Sequence, residues 1–315
     1  MLATGGIATK FVDDLKLLPQ AELAAVGSRR LESAQEFAKE HGFARAHGSW
    51  VDLATDPEVD VVYVATPHVA HHEAAKLCLE AGKAVLCEKP FTMDLPTTRE
   101  LVDIARGNGL FLMEAMWMRT NPAIRRIRDI ARSGAIGEIT AVTADFGFPA
   151  PPDPLHRLRN PALGGGSLLD LGVYPITFAQ LFLGDPEQIR AFGTLSDAGV
   201  DETAAMLFSY PNGAVAYLAS SITGDHRNAA TVVGTEGRIE LPRGFHHPTS
   251  FTLCHGEEAE RVEISLRGNG LGYEAEEVMR CLNEGMTESP LVPLDESLAV
   301  MATMDTIREQ IGVTY

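Results

Sequence analysis

The stretch Ala84-Val85-Leu86-Cys87-Glu88-Lys89-Pro90-Phe91-Thr92-Met93-Asp94 decides the fold. Its first four residues form a short apolar run, the length of a strand buried on both faces. An acid, a base and a proline then stand where such a strand would emerge. In an open parallel α/β sheet ligands bind beyond the carboxyl ends of the strands, which makes Lys89 the first candidate functional side chain. Outward from this point the pattern repeats. Residues 59–67 are rich in β-branched side chains and end in Thr66-Pro67. A helix follows that is opened by His68, His71, His72 and Glu73 and runs to Glu80, with Gly82 beyond it. Residues 22–27 read as a strand and 31–40 as a helix. After Lys89 come a helix over 95–106 and a run over 110–119 whose first half is strand-like. Strand and helix alternating in this way predict a doubly wound parallel sheet of Rossmann type. Asn121-Pro122 breaks the pattern, so a first domain is expected over 1–119 and a second over 120–315.

The chain opens on Ala3-Thr4-Gly5-Gly6-Ile7-Ala8, leading into a helical segment. A glycine-rich turn opening a helix offers free backbone N–H groups to a phosphate. Against the dinucleotide pattern G-x-G-x-x-G/A the match is Ala3-x-Gly5-x-x-Ala8, with alanine for the first glycine. Only Met1 and Leu2 precede the turn, although a buried strand should. The expectation is that upstream residues were lost, by a misplaced start or by truncation, and that the first strand is truncated. At the end of the 22–27 strand an NAD-specific site would place an acid for the ribose 2′-hydroxyl. Ser28-Arg29-Arg30 stands there instead. A hydroxyl and guanidinium groups suit a 2′-phosphate, so NADP is expected as cofactor over NAD.

Composition narrows the function classes. The 315 residues are 45% apolar and 22% charged, an ordinary globular balance. A formal charge of -17, from 26 basic and 43 acidic residues, argues against nucleic acid or an anionic membrane as partner. Cys78, Cys87, Cys254 and Cys281 form no CxxC pair and read as buried reduced thiols. No signal-peptide pattern opens the chain, and no apolar run reaches the about 18 residues of a membrane span. The reading is cytoplasmic. His68 and His72 are the only i, i+4 pair among the clustered histidines, without an H-E-x-x-H pattern, and no metal is expected.

The second half changes character. Residues 138–148 make a long alternating strand, and further strands are expected over 189–195, 202–210, 214–222, 227–234 and 237–241. Tyr210-Pro211-Asn212-Gly213-Ala214 is a hairpin turn signal. These predict an α+β domain with a large, mostly antiparallel sheet, one face of which must pack on helices or on a partner subunit. Helices over 273–284 and 297–310 close the chain. Within this half Gly164-Gly165-Gly166-Ser167-Leu168-Leu169-Asp170-Leu171-Gly172-Val173-Tyr174 puts three glycines before an apolar helix, allowing close backbone approach. Asp170 and Tyr174, spaced i, i+4, share one face of it.

Together these residues resemble the Gfo/Idh/MocA oxidoreductases, nearest the branch of dimeric dihydrodiol dehydrogenases and NADP-dependent xylose dehydrogenases. The resemblance is carried by Ala3 to Ala8, Ala65-Thr66-Pro67-His68 with His71, Ala81-Gly82-Lys83 leading to Glu88-Lys89-Pro90, Glu114 to Arg119, and Gly164 to Tyr174. It implies a nucleotide-binding domain followed by an α/β domain whose sheet often forms a dimer interface, hence a homodimer or higher homo-oligomer. It implies Lys89 and Tyr174 as catalytic pair, Asp170 as the helix acid, and a cis bond before Pro90. The cofactor would be held by Thr4, Gly5, Gly6, Ile7, Ala8, Ser28, Arg29, Arg30, Ala65, Thr66, Pro67, His68, His71, Glu88, Lys89, Trp117 and Arg119. Trp117, Arg119, Phe148, Asp170 and Tyr174 would line the substrate pocket. Tyr174 stands where many sugar and inositol dehydrogenases of the family carry histidine, which favours a cyclic diol or an aldose as substrate. A free phenol titrates at about 10 and is a poor base at neutral pH, but a neighbouring ammonium favours its ionised form. Tyr174 would thus exchange the substrate proton with Lys89 tuning it. A binding protein that senses NADP and a sugar, and an NAD-assisted glycoside hydrolase, are the competing readings.

Overall fold

A computed structural model describes Met1–Tyr315, which divide into two compact units. The first comprises Met1–Thr120 and Leu266–Leu298, the second Asn121–Ser265 and Ala299–Tyr315. The division at Thr120 lies beside the break at Asn121-Pro122. The expectation of an uninterrupted second domain over 120–315 is corrected, because 33 residues, Leu266–Leu298, return to the first unit.

What holds the returning segment is a side chain near the start of the chain. The helix Gly272–Asn283 has no side-chain cap of its own. Asp14 supplies one: its Oδ2 accepts from the Leu271 and Gly272 N–H groups at 2.7 and 2.9 Å, and its Oδ1 from that of Asn269 at 2.7 Å. A carboxylate at a helix N-terminus satisfies orphan donors and meets the positive end of the dipole. Ser297 adds a bond to the buried Glu114 carboxylate at 2.6 Å. No local pattern could announce partners more than 180 residues apart.

In the first unit the strands Val61–Val64, Ala84–Glu88 and Leu112–Ala115 pair in parallel, with Val62 opposite Val85 and Leu86 opposite Met113. Ala25–Gly27 pairs in parallel with Arg45–His47, a strand of three half-buried residues too short and polar to stand out in the sequence. Leu2 joins the two sets through parallel bridges to Gly27 and Val64. Its N–H donates to the Tyr63 carbonyl at 2.8 Å and its own carbonyl accepts from Ala65 N–H at 3.0 Å. The lateral order is therefore Arg45–His47, Ala25–Gly27, Leu2, Val61–Val64, Ala84–Glu88, Leu112–Ala115: the doubly wound arrangement, with the first strand reduced to a bridge. The Met1 α-amino group donates to the Ala25 carbonyl at 2.9 Å inside this sheet, and burial lowers its pKa to about 5. Leu2, Val62, Val64, Val85, Leu101 and Leu112 belong to one core. All four cysteines are free and buried.

The second unit carries an eight-stranded sheet in the order Glu258–Glu263, Ser250–His255, Arg238–Leu241, Ala230–Gly234, Ile139–Gly147, Val215–Ser221, Asp201–Ser209, Gln188–Leu195. Every pairing is antiparallel except that of Ile139–Gly147 with Val215–Ser221. The two strands after 250 were not expected: charged Glu258–Glu263 is exposed along nearly its whole length and shows no apolar alternation. The Tyr210–Ala214 hairpin forms, closed by Tyr210 N–H on the Ala214 carbonyl at 3.1 Å, with Gly213 at φ 81°. The helix Val173–Leu183 lies against one face. With the segment before it, Pro161–Leu183 is by length and composition apolar enough to cross a membrane, at a mean hydropathy of 1.3. It is 78% buried within the unit, as a core helix is. The opposite face leaves Phe192, Leu207 and Tyr217 exposed, with Leu207 opposite Tyr217 in register.

Candidate active site

The first unit gathers its candidates at the carboxyl ends of its central strands. Ala3 N–H donates to the Gly27 carbonyl at 2.9 Å, and Ala65 N–H to Leu2, so the turn Ala3–Gly6, Ser28 and Ala65 sit side by side where the strand order reverses. The helix Gly6–Leu15 begins there with no side-chain cap, leaving its first N–H groups available. Gly5 and Gly6 are exposed, and a Cβ on either would meet nothing within 4 Å. Thr66 Oγ1 is buried and has no hydrogen-bond partner. Open glycines at a helix N-terminus and an orphaned hydroxyl next to it are what a dinucleotide pyrophosphate requires, so these residues fit the cofactor the motif implied. Ala3 adopts φ 91°, a left-handed conformation that alanine pays for and glycine would not.

Arg29 and Arg30 follow the Ala25–Gly27 strand. Arg30 donates to Ser33 Oγ through Nε at 3.2 Å and Nη2 at 2.9 Å. Arg29 lines a cavity of about 690 Å³ with Ser49, Trp50, His72 and Lys76. His72 and Lys76 both pair with Glu100, at 2.7 and 2.6 Å. No group of three or more His, Cys, Asp or Glu side chains could hold a metal ion.

Lys89 is the last residue before the cis peptide to Pro90. Two neighbours support this turn from inside the unit. His71, fully buried, lies between two strand ends, with Nδ1 2.8 Å from the Pro90 carbonyl and Nε2 2.9 Å from that of Thr66; its neutral ring donates to one of the two. Burial pushes its pKa down to about 4, His68 adding to the effect and the two carbonyls opposing it. Glu88 accepts from Lys89 N–H at 3.2 Å and from the Tyr63 hydroxyl. Burial, then the Glu88 charge, raises the Tyr63 pKa well above that of a free phenol, so this tyrosine stays a donor. Tyr63, stacked on Phe11 at 3.9 Å, was not singled out in the sequence. Trp117 and Arg119 fall in a short helix, Trp117–Thr120, and Arg119 is 3% exposed, paired with Glu296 and donating to the Leu291 carbonyl at 3.3 Å.

In the second unit Asp170 lies in a π-helical turn, Leu168–Gly172, that runs directly into the helix carrying Tyr174. Wide turns of this kind occur often at functional sites. Asp170, 5% exposed, accepts from Arg157 Nη2 at 2.9 Å. Tyr174 is edged by aromatic rings: Phe146 at 5.6 Å and His246 at 4.8 Å between centroids, with His246 stacked on Phe146 at 4.4 Å and 22°. Phe148 stands 6.3 Å from Phe146 and borders the cluster of Ala150, Leu158, Leu171 and Ile222. The sequence reading found Phe148, Asp170 and Tyr174 but missed Phe146, Arg157 and His246. Phe146 lies two residues before Phe148, near the end of the strand Ile139–Gly147, a spacing the period of two could have given. The other two sit in loops without a motif.

An open phosphate cradle at a sheet switch point and, in the second unit, a phenol beside a carboxylate define a nucleotide-dependent oxidoreductase by class. The family comparison agrees. Residues 1–116 match the model described as the oxidoreductase family, NAD-binding Rossmann fold, and residues 124–240 match the GFO/IDH/MocA C-terminal domain. The trans-1,2-dihydrobenzene-1,2-diol dehydrogenase of Bos taurus is 38% identical over 330 residues, covering 100% of this chain and 97% of its own. That of Xenopus laevis is 39% identical over 325 residues, covering 99% and 97%. Among solved structures, a 3-ketoreductase from Actinomadura kijaniata, in complex with NADP and TDP-benzene, superposes with a TM-score of 0.88 at 30% identity, over 98% of this chain and 96% of that one. An aldose-aldose oxidoreductase from Caulobacter crescentus, at 24% identity, shares the fold with a TM-score of 0.88 over 97% and 94%. The chain belongs to the Gfo/Idh/MocA family and is an NAD(P)-dependent dehydrogenase.

Proposed function

We propose that the protein transfers a hydride between NADP and a secondary alcohol or carbonyl of a small substrate, a cyclic trans-diol or an aldose, with Lys89 and Tyr174 as its catalytic pair. The observation that carries this reading is the Tyr174 phenol, set among Phe146, His246 and the ion pair Arg157–Asp170. A polar, proton-exchanging tip inside an aromatic rim suits a substrate with a flat apolar face and vicinal hydroxyls. The relatives named trans-1,2-dihydrobenzene-1,2-diol dehydrogenase support the diol, and the NADP complex of the 3-ketoreductase supports the cofactor.

Bound nicotinamide supplies the hydride acceptor or donor. The chain's own residues do the rest. Gly5, Gly6, Ile7 and Ala8 present helix N–H groups to the pyrophosphate, with Thr4, Ala65, Thr66, Pro67 and His68 beside them, and Ser28, Arg29 and Arg30 take the 2′-phosphate. His71 and Glu88 hold the turn that aims Lys89. Tyr174 takes the alcohol proton in oxidation and returns it in reduction. The Lys89 ammonium favours the phenolate and binds the substrate oxygen, and Asp170 orients a hydroxyl. Trp117, Arg119 and Phe148 complete the lining. The exposed row of Phe192, Leu207 and Tyr217 is the face we assign to a homodimer, and the protein's place is the cytoplasm.

The test is a panel of cyclic trans-diols and aldoses, run in both directions with NADP and NAD, on the wild type, Tyr174→Phe and Lys89→Met. Both variants are expected to keep NADPH affinity and to lose about 10²-fold or more in turnover. Unchanged turnover in either variant overturns the pair. NADPH binding with no turnover on any substrate would favour the sensor, and sugar release without net change in nicotinamide absorbance would favour the hydrolase.

A further inference from the structure

A carboxylate taken out of water needs a partner. Asp170 finds one in Arg157, a residue outside every motif of the sequence, at 2.9 Å. The pairing is built by neighbours. Leu158 and Leu171, each adjacent in the chain to one of the two partners, share a buried cluster with Ala150 and Ile222. Arg159 pins the same loop, donating to Glu202 at 3.0 Å and to the Pro151 carbonyl at 2.7 Å. The loop is thus held by the two residues that follow Arg157, packed and bonded to Ala150 and Pro151 before it, while the Arg157 side chain stays 55% exposed at the rim. Its charge also reaches Tyr174. Burial works to lower the Arg157 pKa, but the Asp170 charge and hydrogen bond, with the Tyr174 phenolate adding, hold it above its ordinary value. Such coupling is reciprocal: the phenolate favours the guanidinium as much as the guanidinium favours the phenolate.

We propose that Arg157 is a positioning residue for Tyr174, anchoring Asp170 one turn before the phenol and laying a fixed positive charge beside the hydroxyl that exchanges the substrate proton. The proposal rests on Tyr174 being the proton-transfer group. An arginine suits the task because it keeps its charge at every working pH and can bind a carboxylate through one nitrogen with others to spare. Other groups lie around the phenol. His246 lies 4.8 Å away, Asp145 sits on the strand that carries Phe146, and Asp201 caps the segment at Ser167. The strand Val215–Ser221 has no charged residue. The helix Pro122–Arg132 buries Ala123, Ile124 and Ile127, with Arg128 half-buried beside them. Lys89 belongs to the first unit and is the second cation in the proposed mechanism.

The experiment reads Tyr174 itself, without substrate. Phenolate absorbance is titrated as the difference between a protein and its Tyr174→Phe counterpart, in the wild-type and Arg157→Gln backgrounds. The pH profile of kcat for alcohol oxidation is recorded beside it. Arg157→Gln is expected to raise the midpoint by about one pH unit and to carry the acid limb of kcat upward with it, at unchanged NADPH affinity. Arg157→Lys should recover most of that shift, because it restores charge. Since Arg157→Gln strands a buried carboxylate, the same comparison is made between Asp170→Asn and Asp170→Asn/Arg157→Gln, where the second change must again raise the midpoint. A midpoint unmoved in both backgrounds, with Tyr174→Phe inactive, overturns this proposal alone. Wild-type turnover in Tyr174→Phe overturns the catalytic reading and this proposal with it.

Discussion

In the first unit the candidate site is made of backbone; in the second it is made of side chains. The cradle at Gly5 and Gly6 works through N–H groups of a helix start and through the absence of Cβ atoms, and the turn at Lys89 is held by backbone carbonyls that lie against His71. In the other unit Tyr174 is edged by Phe146 from a strand and His246 from a loop, and Asp170, in the π-turn before it, is paired with Arg157. Backbone sites require particular residues at consecutive positions, because one peptide segment must take one path. Side-chain sites require only that separate segments deliver their tips to a common place. The difference extends to buried bases: the first unit holds the Met1 amine and His71 below their ordinary pKa, alongside buried acids such as Glu114 and Glu274, while the second buries Asp170 and Asp201.

That contrast yields the largest expected effect, on stability against pH. The Met1 amine has a folded pKa of about 5 against an ordinary 8.0, and His71 about 4 against 6.5, each lowered first by burial. Between these values the unfolded chain binds more protons, so stability falls as pH drops: from 8 to 5 for the amine, from 6.5 to 4 for the imidazole. Asp201 has the opposite sign. Burial raises its pKa to about 6 from 3.8, despite bonds from Ser167 and Leu168 N–H, so the folded state binds the extra proton. Its contribution is full below 3.8 and lost as pH rises through 6. Hydrogen exchange across pH 8 to 5 should show the amides of Leu2 and Ala25, beside the Met1 amine, losing protection while those around Ser167 hold or gain. Acetylating the Met1 amine should remove most of the first unit's slope between pH 8 and 6. Parallel loss in both units would break the comparison.

The next effect is on cofactor affinity. Gly5 has φ -82°, which any residue adopts, and a Cβ there enters open space. Gly5→Ala should leave Tm within the range of a neutral surface change, about 0.5 kcal/mol, yet weaken NADPH binding about tenfold where the methyl meets the pyrophosphate. Ala3 is the mirror case. Its φ of 91° is strained for alanine, and Ala3→Gly should stabilise the fold by about 1 kcal/mol, less the entropy of the added glycine, without weakening the cofactor. Thermal melts and fluorescence titration of NADPH read both. A drop in Tm for Gly5→Ala would mean that the glycine serves the fold and not the ligand.

These positions also show what the sequence could reveal. Lys89, Gly5 and Tyr174 were legible because each stands in a contiguous pattern whose physics is local: a strand end, a helix start, a glycine run before an apolar helix. The parallel and antiparallel sheets were legible from alternation and from β-branched runs. Arg45–His47 and Glu258–Glu263 were not, being short or polar on both faces. Nor was the return of Leu266–Leu298, which depends on Asp14 capping a helix formed more than 250 residues later. Arg157 and His246 belong to this second kind, since their place follows from packing of Leu158 and from rings stacked across loops.

The smallest effect tests a part of the first unit's site that is built from exposed side chains. Arg29 is exposed at the edge of its cavity, and Arg30 is partly engaged with Ser33. An exposed ion pair is worth at most about 1 kcal/mol, so Arg29→Ala should raise the KM for NADPH by about fivefold and leave that for NADH nearly unchanged. Arg30→Ala should do less, because its guanidinium already spends two donors on Ser33. On the 2′-phosphate reading the contact is solvated, so raising ionic strength should bring the wild-type affinities for NADPH and NADH closer together and leave the Arg29→Ala variant largely insensitive. The backbone cradle at Gly5 carries no net charge and its contribution should persist in salt. Equal loss of NADPH and NADH in Arg29→Ala would assign the residue to the part both cofactors share, and the 2′-phosphate reading would go with it.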